Sequence, residues 1–562
     1  MLRFVLPIAI CCALRAQGPA PTTPAPPTAE DLCSIQGAVL NSVTGEPLKK
    51  ATLNLMRTDM APDVMSMPSS YSTSTDSAGK FAMKDIEPGK YRLSVNRNGF
   101  VAANYGARGP MRPGTTLSLV RGQSLKEVTF RLTPHGVIAG RIFDEDGEPV
   151  PYARIQLLTY RYLQGKKQLS NAGGASSNDL GEYRVFGIAP GKYYLSAMAG
   201  NMNFMYAQDR SAAPQPEEDY VATYYPGTID ASTAVALEVT AGGQLRDIDL
   251  RLSKAHTIRV KGHVTYSLPG RQRVTIYMQP RNPAMGGMMG PMRPSQADAK
   301  GNFELRGVAP GAYYLTAAIN DGNRSYQARM PVDAGRNQIE NLELTVRPGI
   351  EITGRVRIEG AETADLSNVR LMLQPREWGM MFGYNQPAKM DENRGFKIEN
   401  VSAGLYNVTA GGLPAGYYLK SVRAEQVDVM ANGLNAESAP APLEVVLSPN
   451  AAQLTGVVEN PNTNQPSPGA TIVLVPQEGE RKDQQIFYKQ VTSDQNGAYH
   501  LKDLTPGEYK IYAWEDVESG AYLDPDFMKP FEAKGEAVTL REGDQKSLQV
   551  TLIPAESAAG QR

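Results

Sequence analysis

A two-part pattern recurs five times in this chain at constant spacing. Its first part is Asp-x-x-Gly-x-aromatic, with Asn for Asp in one copy and a displaced Gly in another, and its second part is Pro-Gly-x-Tyr, with Ala for Pro in one copy. In every copy the Asp or Asn precedes the second Gly by thirteen residues and the Tyr by fifteen. The copies lie roughly a hundred residues apart and begin at Asp76, Asn178, Asp298, Asp391 and Asp494. Constant spacing at that period indicates a tandem array of one small domain.

Both parts of the pattern are turn signals. An Asp accepts hydrogen bonds from the backbone ahead of it, and a Gly three residues later suits the end of a type I turn. Pro-Gly fits the two central positions of a type II turn, in which the Gly has a positive φ. In the fourth copy Arg394 stands at the turn Gly position and Gly395 follows it, so we expect a shifted turn there. We expect positive φ at the structural turn glycines Gly89, Gly191, Gly311, Gly404 and Gly507.

Short strands surround the two turns. Residues 81–86 and 91–95 alternate between apolar and polar, and an apolar-x-Gly-x-apolar strand such as 35–39 precedes each copy. About seven such strands in about a hundred residues are typical of a two-sheet sandwich. We predict an all-β protein of five tandem seven-stranded, Ig-like or prealbumin-like β-sandwich domains in a row. We call them repeats 1 to 5, with expected bounds 33–133, 134–254, 255–347, 348–449 and 450–555.

The repeats resemble the carboxypeptidase regulatory-like domain, a transthyretin-like (prealbumin-like) sandwich related to carbohydrate-binding-like folds. The resemblance rests on the Gly-x-Val opening strand, the Gly-Glu-Pro turns at 45–47 and 147–149, and the two turn patterns. It implies the fold and leaves activity open, because this domain is usually an accessory to another function.

A related domain, the collagen-adhesin B-type domain, forms an internal Lys-Asn cross-link with the help of a catalytic Glu. This chain has other residues at the corresponding place, namely Ser94, Ser196, Thr316, Thr409 and Tyr512. The resemblance therefore implies no self-cross-linking.

The N-terminus indicates export. Arg3 and the short apolar run 4–14 are typical of a secretory signal peptide, which we expect at 1–16. Lipid attachment at Cys11 or Cys12 is the alternative to simple cleavage. We expect a protein of the periplasm, the outer surface or the extracellular space, with no transmembrane segment in the mature chain.

A Pro-rich linker is expected at 17–32 and a disordered tail at 556–562.

The composition of the chain argues against one class of partner and against disulfides as the source of stability. The formal net charge is −1 without a basic block, which argues against nucleic acid as a partner. Only Cys33 remains after removal of the leader, so apolar cores and not disulfides must hold the sandwiches together.

Aromatic residues in the long loop insertions are candidates for ligand binding. Rings on surface loops stack on the apolar faces of pyranose sugars, and acidic groups beside them bind hydroxyls. The alternative interpretation, with at least equal weight, is that these rings fold back as lids on the edge of each sandwich. The candidate ligand-binding residues are Tyr224, Tyr225, Trp378, Tyr384, Trp514 and Tyr522.

Sequence patterns for catalysis and cofactor binding are absent. The chain has no nucleophile elbow, P-loop, dinucleotide fingerprint or HExxH pattern. We therefore predict no catalytic residue, no enzyme activity, no cofactor and no metal site. Two loops leave metal binding open: the acidic run 144–148 for calcium, and for Cu(I) a loop with Met285, Met288, Met289 and Met292.

The sequence as a whole predicts a non-catalytic exported binding protein. The expected ligand is a carbohydrate or polysaccharide at the cell envelope, bound by a rod of five domains. The alternative is a structural scaffold or protein-interaction spacer in an envelope assembly. A third and weaker hypothesis is an accessory to a peptidase or to an outer-membrane transport system.

Overall fold

The computed structural model describes nine segments of the chain. They are 29–59, 70–109, 112–199, 218–268, 272–281, 294–321, 324–360, 364–376 and 386–555. The expected signal peptide, most of the linker, the methionine-rich loop, the C-terminal tail, Trp378 and Tyr384 lie outside the described residues. Within them the protein is all-β, as predicted, with a few short helical turns.

Repeat 1 divides its strands between two sheets, after a 3₁₀ turn at Ala29–Asp31. The strands are β1 (Cys33–Asn41), β2 (Thr52–Arg57), β3 (Ser70–Ser74), β4 (Lys80–Ile86), β5 (Gly89–Asn96), β6 (Ala103–Asn104), β7 (Leu117–Leu119) and β8 (Ser124–Leu132). One sheet has the order β4-β1-β8 and the other β3-β2-β5-β6, with β7 also on β5. Every second residue of β2 and β5, such as Leu53 and Leu93, is buried in the core between the sheets.

Repeat 2 has the same two-sheet plan. Its strands are β9 (Gly136–Phe143), β10 (Arg154–Leu163), β11 (Lys166–Ser176), β12 (Glu182–Ile188), β13 (Gly191–Met198), β14 (Glu218–Tyr220), β15 (Thr223–Tyr224), β16 (Leu237–Val239), β17 (Gln244–Leu245) and β18 (Leu250–Arg251), with a 3₁₀ turn at Ala231–Thr233. The sheets are β12-β9-β17, with β18 also on β9, and β11-β10-β13-β15, with β16 also on β13.

In repeat 3 one sheet runs continuously around the sandwich. Its strands are β19 (Lys254–His256), which pairs with β14, then β20 (Ile258–Tyr266), β21 (Thr275–Pro280), β22 (Ser295–Gln296), β23 (Asn302–Val308), β24 (Gly311–Asp321), β25 (Arg324–Ala334) and β26 (Ile339–Pro348). The order is β22-β21-β24-β25-β26-β20-β23. The two halves join because β25 pairs with β24 along its length and with β26 at Tyr326 and Gln327.

Repeat 4 returns to two sheets. Its elements are β27 (Ile350–Ile358), β28 (Arg370–Pro375), β29 (Gly395–Val401), β30 (Leu405–Gly411), β31 (Tyr418–Ala424), β32 (Val427–Asp428), the short helix α1 (Val429–Asn432), β33 (Leu434–Asn435) and β34 (Leu443–Ser448). The sheets are β29-β27-β34-β31-β32 and β28-β30-β33.

Repeat 5 carries the largest insertion that the structure describes. Its strands are β35 (Ala452–Asn460), β36 (Gln465–Pro466), β37 (Thr471–Pro476), β38 (Lys489–Thr492), β39 (Ala498–Leu504), β40 (Gly507–Trp514), β41 (Glu536–Leu540), β42 (Gln545–Ser547) and β43 (Val550–Ile553). Between β40 and β41 lie α2 (Pro525–Met528) and 3₁₀ turns at Ala521–Leu523 and Lys529–Lys534, and two further turns, Gly479–Asp483 and Gln485–Phe487, precede β38. The sheet order is β36-β35-β43-β40-β37-β38, with β39 and β42 also on β35 and β41 also on β40.

A glycine in each opening strand allows close contact with the closing strand. A Cβ at these glycines would lie between 1.8 and 2.4 Å from a carbonyl oxygen of the neighbouring chain segment. No side chain fits there, which explains the Gly of the apolar-x-Gly-x-apolar pattern. The glycines are Gly37, Gly140, Gly262, Gly354 and Gly456.

The Asp turn forms as expected in all five copies. The Oδ1 atom of Asp76 accepts hydrogen bonds from the backbone N of Ala78 and of Lys80, at 2.9 and 2.8 Å. The corresponding oxygen makes the same two bonds in the other copies. The fourth turn is not shifted, contrary to the prediction, because Arg394 itself adopts the left-handed conformation with φ 61°.

The type II turn assignment at Pro-Gly is wrong. Gly89, Gly191, Gly404 and Gly507 have the expected positive φ, but its value of 152° to 159° is far from the value of about 80° that a type II turn requires. Gly311 is not among the glycines with positive φ. The residue with a left-handed φ instead lies four positions before this Gly, in the strand between the two turns. It forms part of a β-bulge where that strand pairs with the opening strand. These residues are Asp85, Gly187, Gly307, Asn400 and Asp503.

The Tyr of the second pattern closes the same corner. The hydroxyl of Tyr91 donates a hydrogen bond of 2.8 Å to the carbonyl oxygen of Glu87, four residues earlier. The equivalent tyrosines of repeats 2 to 5 make the same bond at 2.7 to 3.0 Å. Burial raises the pKa of these hydroxyls, to about 12 in Tyr406 and Tyr509. The second part of the pattern therefore fixes the corner between the two strands through a tyrosine hydrogen bond and a β-bulge.

Repeat 5 contacts repeat 1, so the ends of the array meet. Ser118 of repeat 1 donates from its backbone N to Oε1 of Gln495 at 3.0 Å and accepts from Nε2 of Gln495 at 2.8 Å. Nε of Arg112 lies 3.0 Å from Oδ1 of Asp516. Arg108 pairs with Glu515 beside them. The chain folds back on itself, and the expectation of a rod is wrong.

Repeat 5 also contacts repeats 2 and 4. The ring of Tyr162 in repeat 2 packs edge to face against Phe527, with the ring centroids 5.9 Å apart. Nζ of Lys420 in repeat 4 lies 2.7 Å from Oε1 of Glu542. The side chains of repeat 5 thus connect three other repeats.

Candidate functional site

The structure buries three of the aromatic residues that the sequence suggested as a sugar-binding surface. Relative exposure is 3% for Tyr224, 0% for Trp514 and 8% for Tyr522. Rings buried to this extent offer no face to a pyranose, so this proposed role is corrected for all three. Tyr225 is half-buried against the core of repeat 2.

The insertion of repeat 5 explains the burial of Trp514. Its ring stacks on Tyr512 at 5.2 Å between centroids and meets Phe531 edge-on at 5.8 Å. The rings of Tyr512 and Trp514 lie on the face of their sheet that points away from the main core of repeat 5. The segment between β40 and β41 covers that face. Repeat 2 covers the equivalent face in the same way, with Tyr224 packed against Leu158. Trp514, Tyr522 and Tyr224 are therefore part of lids on their sandwiches, in agreement with the alternative interpretation of the sequence.

The same face of repeat 3 borders an open cleft. Tyr277 and Thr316 are cross-strand partners, as are Val473 and Tyr512 at the corresponding place in repeat 5. A cavity of about 860 Å³ lies over this face and extends to repeat 4. Its walls include residues of β21, β24, β25 and β26 on one side, and 402–406 and 435–437 on the other.

Two guanidinium groups converge on one ring in this cleft. The Cζ atom of Arg329 lies 3.5 Å from the ring centroid of Tyr314, and that of Arg281 lies 6.0 Å from it. Arg281 also pairs with Asp333. Stacking on the ring holds the plane of the Arg329 guanidinium, whose Nε and Nη1 atoms are shielded from solvent.

The charge of Arg329 reaches both walls of the cleft. Burial raises the pKa of Tyr277 in repeat 3 and raises that of Tyr406 in repeat 4 to about 12. In both cases the nearby Arg329 opposes the effect of burial, because a positive charge favours the phenolate.

Sequence reasoning missed these residues. Strand β24 places Tyr314 and Thr316 where β40 has Lys510 and Tyr512, counted from the Tyr of the second pattern. A comparison of the repeats position by position would have shown that repeat 3 has the hydroxyl and amide groups of Tyr277, Gln279 and Thr316 where repeat 5 has Val473, Val475 and Tyr512. The contribution of repeat 4 has no such signal, since it depends on how two domains meet.

The described residues hold no group of three or more His, Cys, Asp or Glu side chains placed to bind a metal ion. In the acidic run 144–148, Oδ1 of Asp144 accepts hydrogen bonds from the backbone N of Asp146 and Glu148. The neighbouring Glu145 pairs with Lys254 and Tyr220, whose hydrogen bonds lower its pKa to about 2. Across the same residues, no helix has the length and hydrophobicity needed to cross a bilayer.

The ends of the described array match a known family. Residues 34–133 and 453–553 match the carboxypeptidase regulatory-like domain. Repeats 1 and 5 thus carry the resemblance seen in the sequence. This domain is a non-catalytic module, which accords with a structural or binding role. No curated protein compared with the chain matches it.

Several solved structures share partial similarity with the chain. The Bacillus anthracis TIE protein is 12% identical over 57% of this chain and 51% of its own, with a TM-score of 0.17. The minor pilin GBS52 of Streptococcus agalactiae is 12% identical over 43% of this chain and 99% of its own, with a TM-score of 0.21. BcpA, the major pilin subunit of Bacillus cereus, is 10% identical over 74% of this chain and 99% of its own, with a TM-score of 0.15. The chain spans about half the length of the first of these, and TM-scores of this size do not establish a common arrangement of domains.

Proposed function

We propose that this chain is a non-catalytic exported protein that binds a polysaccharide at the cell envelope, and that the cleft between repeats 3 and 4 is the binding site. The observation that supports the proposal is the cleft beside the face of β21, β24 and β25, whose equivalent in repeats 2 and 5 is covered by that repeat's own residues. A cleft of about 860 Å³ has the size of sites that enclose a few sugar rings.

The side chains of the cleft suit a saccharide. Tyr314 provides an aromatic ring, and Gln279 and Gln327 provide amide groups. Sugars combine apolar ring faces with many hydroxyls, so a wall that alternates rings with amides can satisfy both.

A polysaccharide and glycan screen on the processed full-length protein tests this function. We expect saturable binding that Tyr314→Ala weakens at least tenfold. The matched control is Tyr160→Ala, because Tyr160 is a 40% exposed tyrosine on the corresponding sheet of repeat 2, with its ring 5.4 Å from that of Tyr194. Absence of any bound glycan, or binding that both substitutions leave unchanged, would contradict the proposal.

A second candidate is a scaffold in an envelope assembly. The contacts of repeat 5 with repeats 1, 2 and 4 favour it, since they hold several domains together and leave their outer faces available to a partner. Isolation of the tagged protein from envelope extracts would then give one protein partner in stoichiometric amount. If the extracts contain only polysaccharide bound in a Tyr314-dependent manner, the scaffold role is excluded.

A further inference from the structure

The corner that the second pattern closes in the other repeats is open in repeat 3. The corner tyrosine is buried in repeats 1, 2, 4 and 5, whereas its equivalent Tyr313 is half-buried. Val308, the residue after the left-handed Gly307, is half-buried as well, although Ile86 and Leu504 at the same place in repeats 1 and 5 are buried. The apolar core of repeat 3 is therefore accessible at this end.

A sequence difference accompanies the opening. In repeat 1 Arg57 is the cross-strand partner of the corner Tyr91, and its Nη2 atom donates a hydrogen bond of 3.3 Å to the carbonyl oxygen of Pro88. In repeat 3 the cross-strand partner of Tyr313 is Pro280, whose side chain has no hydrogen-bond donor. Both residues line a cavity at this corner.

Repeat 2 forms the opposite wall of the cavity, which has a volume of about 190 Å³. Met198, Ala222 and Ile229 contribute from repeat 2, and Met278 and Leu305 contribute from repeat 3. An apolar cavity of about 150 Å³ takes up benzene, and sites for drug-sized ligands begin at about 300 Å³. The cavity therefore has room for one ring with small substituents.

The polar side chains of the lining already have partners. The hydroxyl of Tyr313 donates to a backbone carbonyl oxygen at 3.0 Å, and that of Tyr220 is bonded to Glu145. Arg306 is the one charged side chain among the described residues that line the cavity, and its Nη2 atom lies 2.8 Å from Oε2 of Glu304. A charged ligand would lose its hydration here without gaining a new partner, so the cavity favours an uncharged one.

We propose that this cavity binds a small uncharged aromatic molecule of about one ring. Met198 and Met278 lie on opposite walls, and their thioethers attract an aromatic ring more than a saturated one. The ring of Tyr220 provides a further edge or face for the ligand.

This site is separate from the cleft between repeats 3 and 4. Tyr277 and Gln279 of β21 line the cleft, whereas Met278 and Pro280 of the same strand line the cavity. Successive side chains of a strand point to opposite faces of its sheet, so the two sites lie on opposite sides of β21. The inference therefore goes beyond the proposed function and does not depend on it.

Calorimetric titration of the full-length protein with p-cresol tests the site. The comparison probes are 4-methylcyclohexanol, which has a similar size without the aromatic ring, and 4-methylbenzoate, which adds a negative charge. We expect saturable binding of one p-cresol per chain, about threefold tighter than that of 4-methylcyclohexanol. We expect no saturable binding of 4-methylbenzoate.

Two substitutions fill the cavity from its two sides. Ala255→Phe on the repeat 3 side and Ala222→Phe on the repeat 2 side should each weaken p-cresol binding about tenfold or more, because the new ring occupies the space of the ligand. The control is Ala139→Phe, since Ala139 is also half-buried but does not line the cavity. Thermal unfolding establishes that each variant is folded, and the two substitutions test the same space independently.

Each contrary result overturns a stated part of the inference. Absence of saturable p-cresol binding would overturn the site. Binding that neither filling substitution weakens, or that Ala139→Phe weakens equally, would also overturn it. Equal binding of 4-methylcyclohexanol would overturn the aromatic class, and equal binding of 4-methylbenzoate would overturn the preference for an uncharged ligand. The glycan screen with Tyr314→Ala remains a separate test of the proposed function.

Discussion

The hydroxyl of Tyr499 donates a hydrogen bond of 2.7 Å to the carbonyl oxygen of Leu548, and a Cβ placed on Gly456 would lie 1.8 Å from that same oxygen. This oxygen, which lies between β42 and β43, thus meets both the opening-strand glycine and the aromatic residue of the Asp turn. Repeat 2 has the same arrangement, with Tyr183 bonded to Ile248 at 2.6 Å. The opening-strand glycine and the aromatic residue of the Asp turn therefore meet at one carbonyl oxygen in repeats 2 and 5.

Substitution at Gly456 should therefore destabilise repeat 5. Gly456→Ala forces the strands apart and should lower the free energy of unfolding by at least about 2 kcal/mol. Tyr499→Phe removes only the hydrogen bond and should cost about 1 kcal/mol. Hydrogen exchange of β35 and β43 in the full chain measures both effects. Gly479→Ala is the control, because a Cβ at Gly479 meets nothing within 4 Å. Equal protection in Gly456→Ala and Gly479→Ala would contradict the packing argument.

The contact between repeats 4 and 5 should weaken in acid. The hydrogen bonds from Lys420 and then Tyr418, each 2.7 Å to Oε1 of Glu542, lower the pKa of that carboxyl below its ordinary value of 4.5. Because the folded-state pKa is depressed, the contribution to stability is complete above the ordinary value and is lost as pH falls through the lowered one. Thermal unfolding from pH 7 to pH 3 should show this loss in the wild type and a smaller one in Glu542→Gln. An identical pH dependence in both proteins would exclude the contribution.

The meeting of repeats 1 and 5 should be visible at one amide. Gln495→Ala removes the acceptor of the Ser118 amide, so that amide should exchange at least tenfold faster with solvent. Gln477→Ala is the control, since Nε2 of Gln477 bonds carbonyl oxygens within repeat 5. Arg112→Glu places a negative charge against Asp516 and should have the same effect as Gln495→Ala. Unchanged exchange at Ser118 in both test variants would mean that the two repeats are apart in solution.

The burial of Trp514 can be checked by fluorescence. The chain has two tryptophans, so in Trp378→Phe the emission comes from Trp514 alone. We expect blue-shifted emission with little quenching by acrylamide, because the insertion of repeat 5 covers the ring. Efficient quenching would show that the ring faces solvent and would restore it as a candidate for sugar binding.

The sequence predicted the structure where local chemistry decides it. The Asp turn depends on an oxygen and two amides within five residues, and it forms even where Arg394 replaces Gly. The Pro-Gly assignment was wrong because the corner is fixed by the hydroxyl of the following Tyr and by a bulge against another strand. Neither of those contacts can be deduced from the dipeptide itself.

The site was harder to predict for a related reason. A ring such as Trp514 in a strand next to an insertion faces solvent or a lid, and the sequence pattern is the same in both cases. The cleft needs Tyr314 and Arg329 on neighbouring strands and a second domain opposite them. The sequence pattern of a single repeat can place Tyr314 and Arg329 on neighbouring strands, but it does not contain the position of the second domain.

The most direct test of the account is hydrogen exchange of the full-length protein with and without a saturating concentration of a polysaccharide that the glycan screen identifies. We predict that protection appears together in β24 and β25 of repeat 3 and in residues 402–406 of repeat 4, and that Tyr314→Ala abolishes it while Tyr160→Ala does not. Protection confined to the insertion of repeat 5, or no ligand-dependent change in either repeat 3 or repeat 4, would contradict the assignment of the cleft as the binding site.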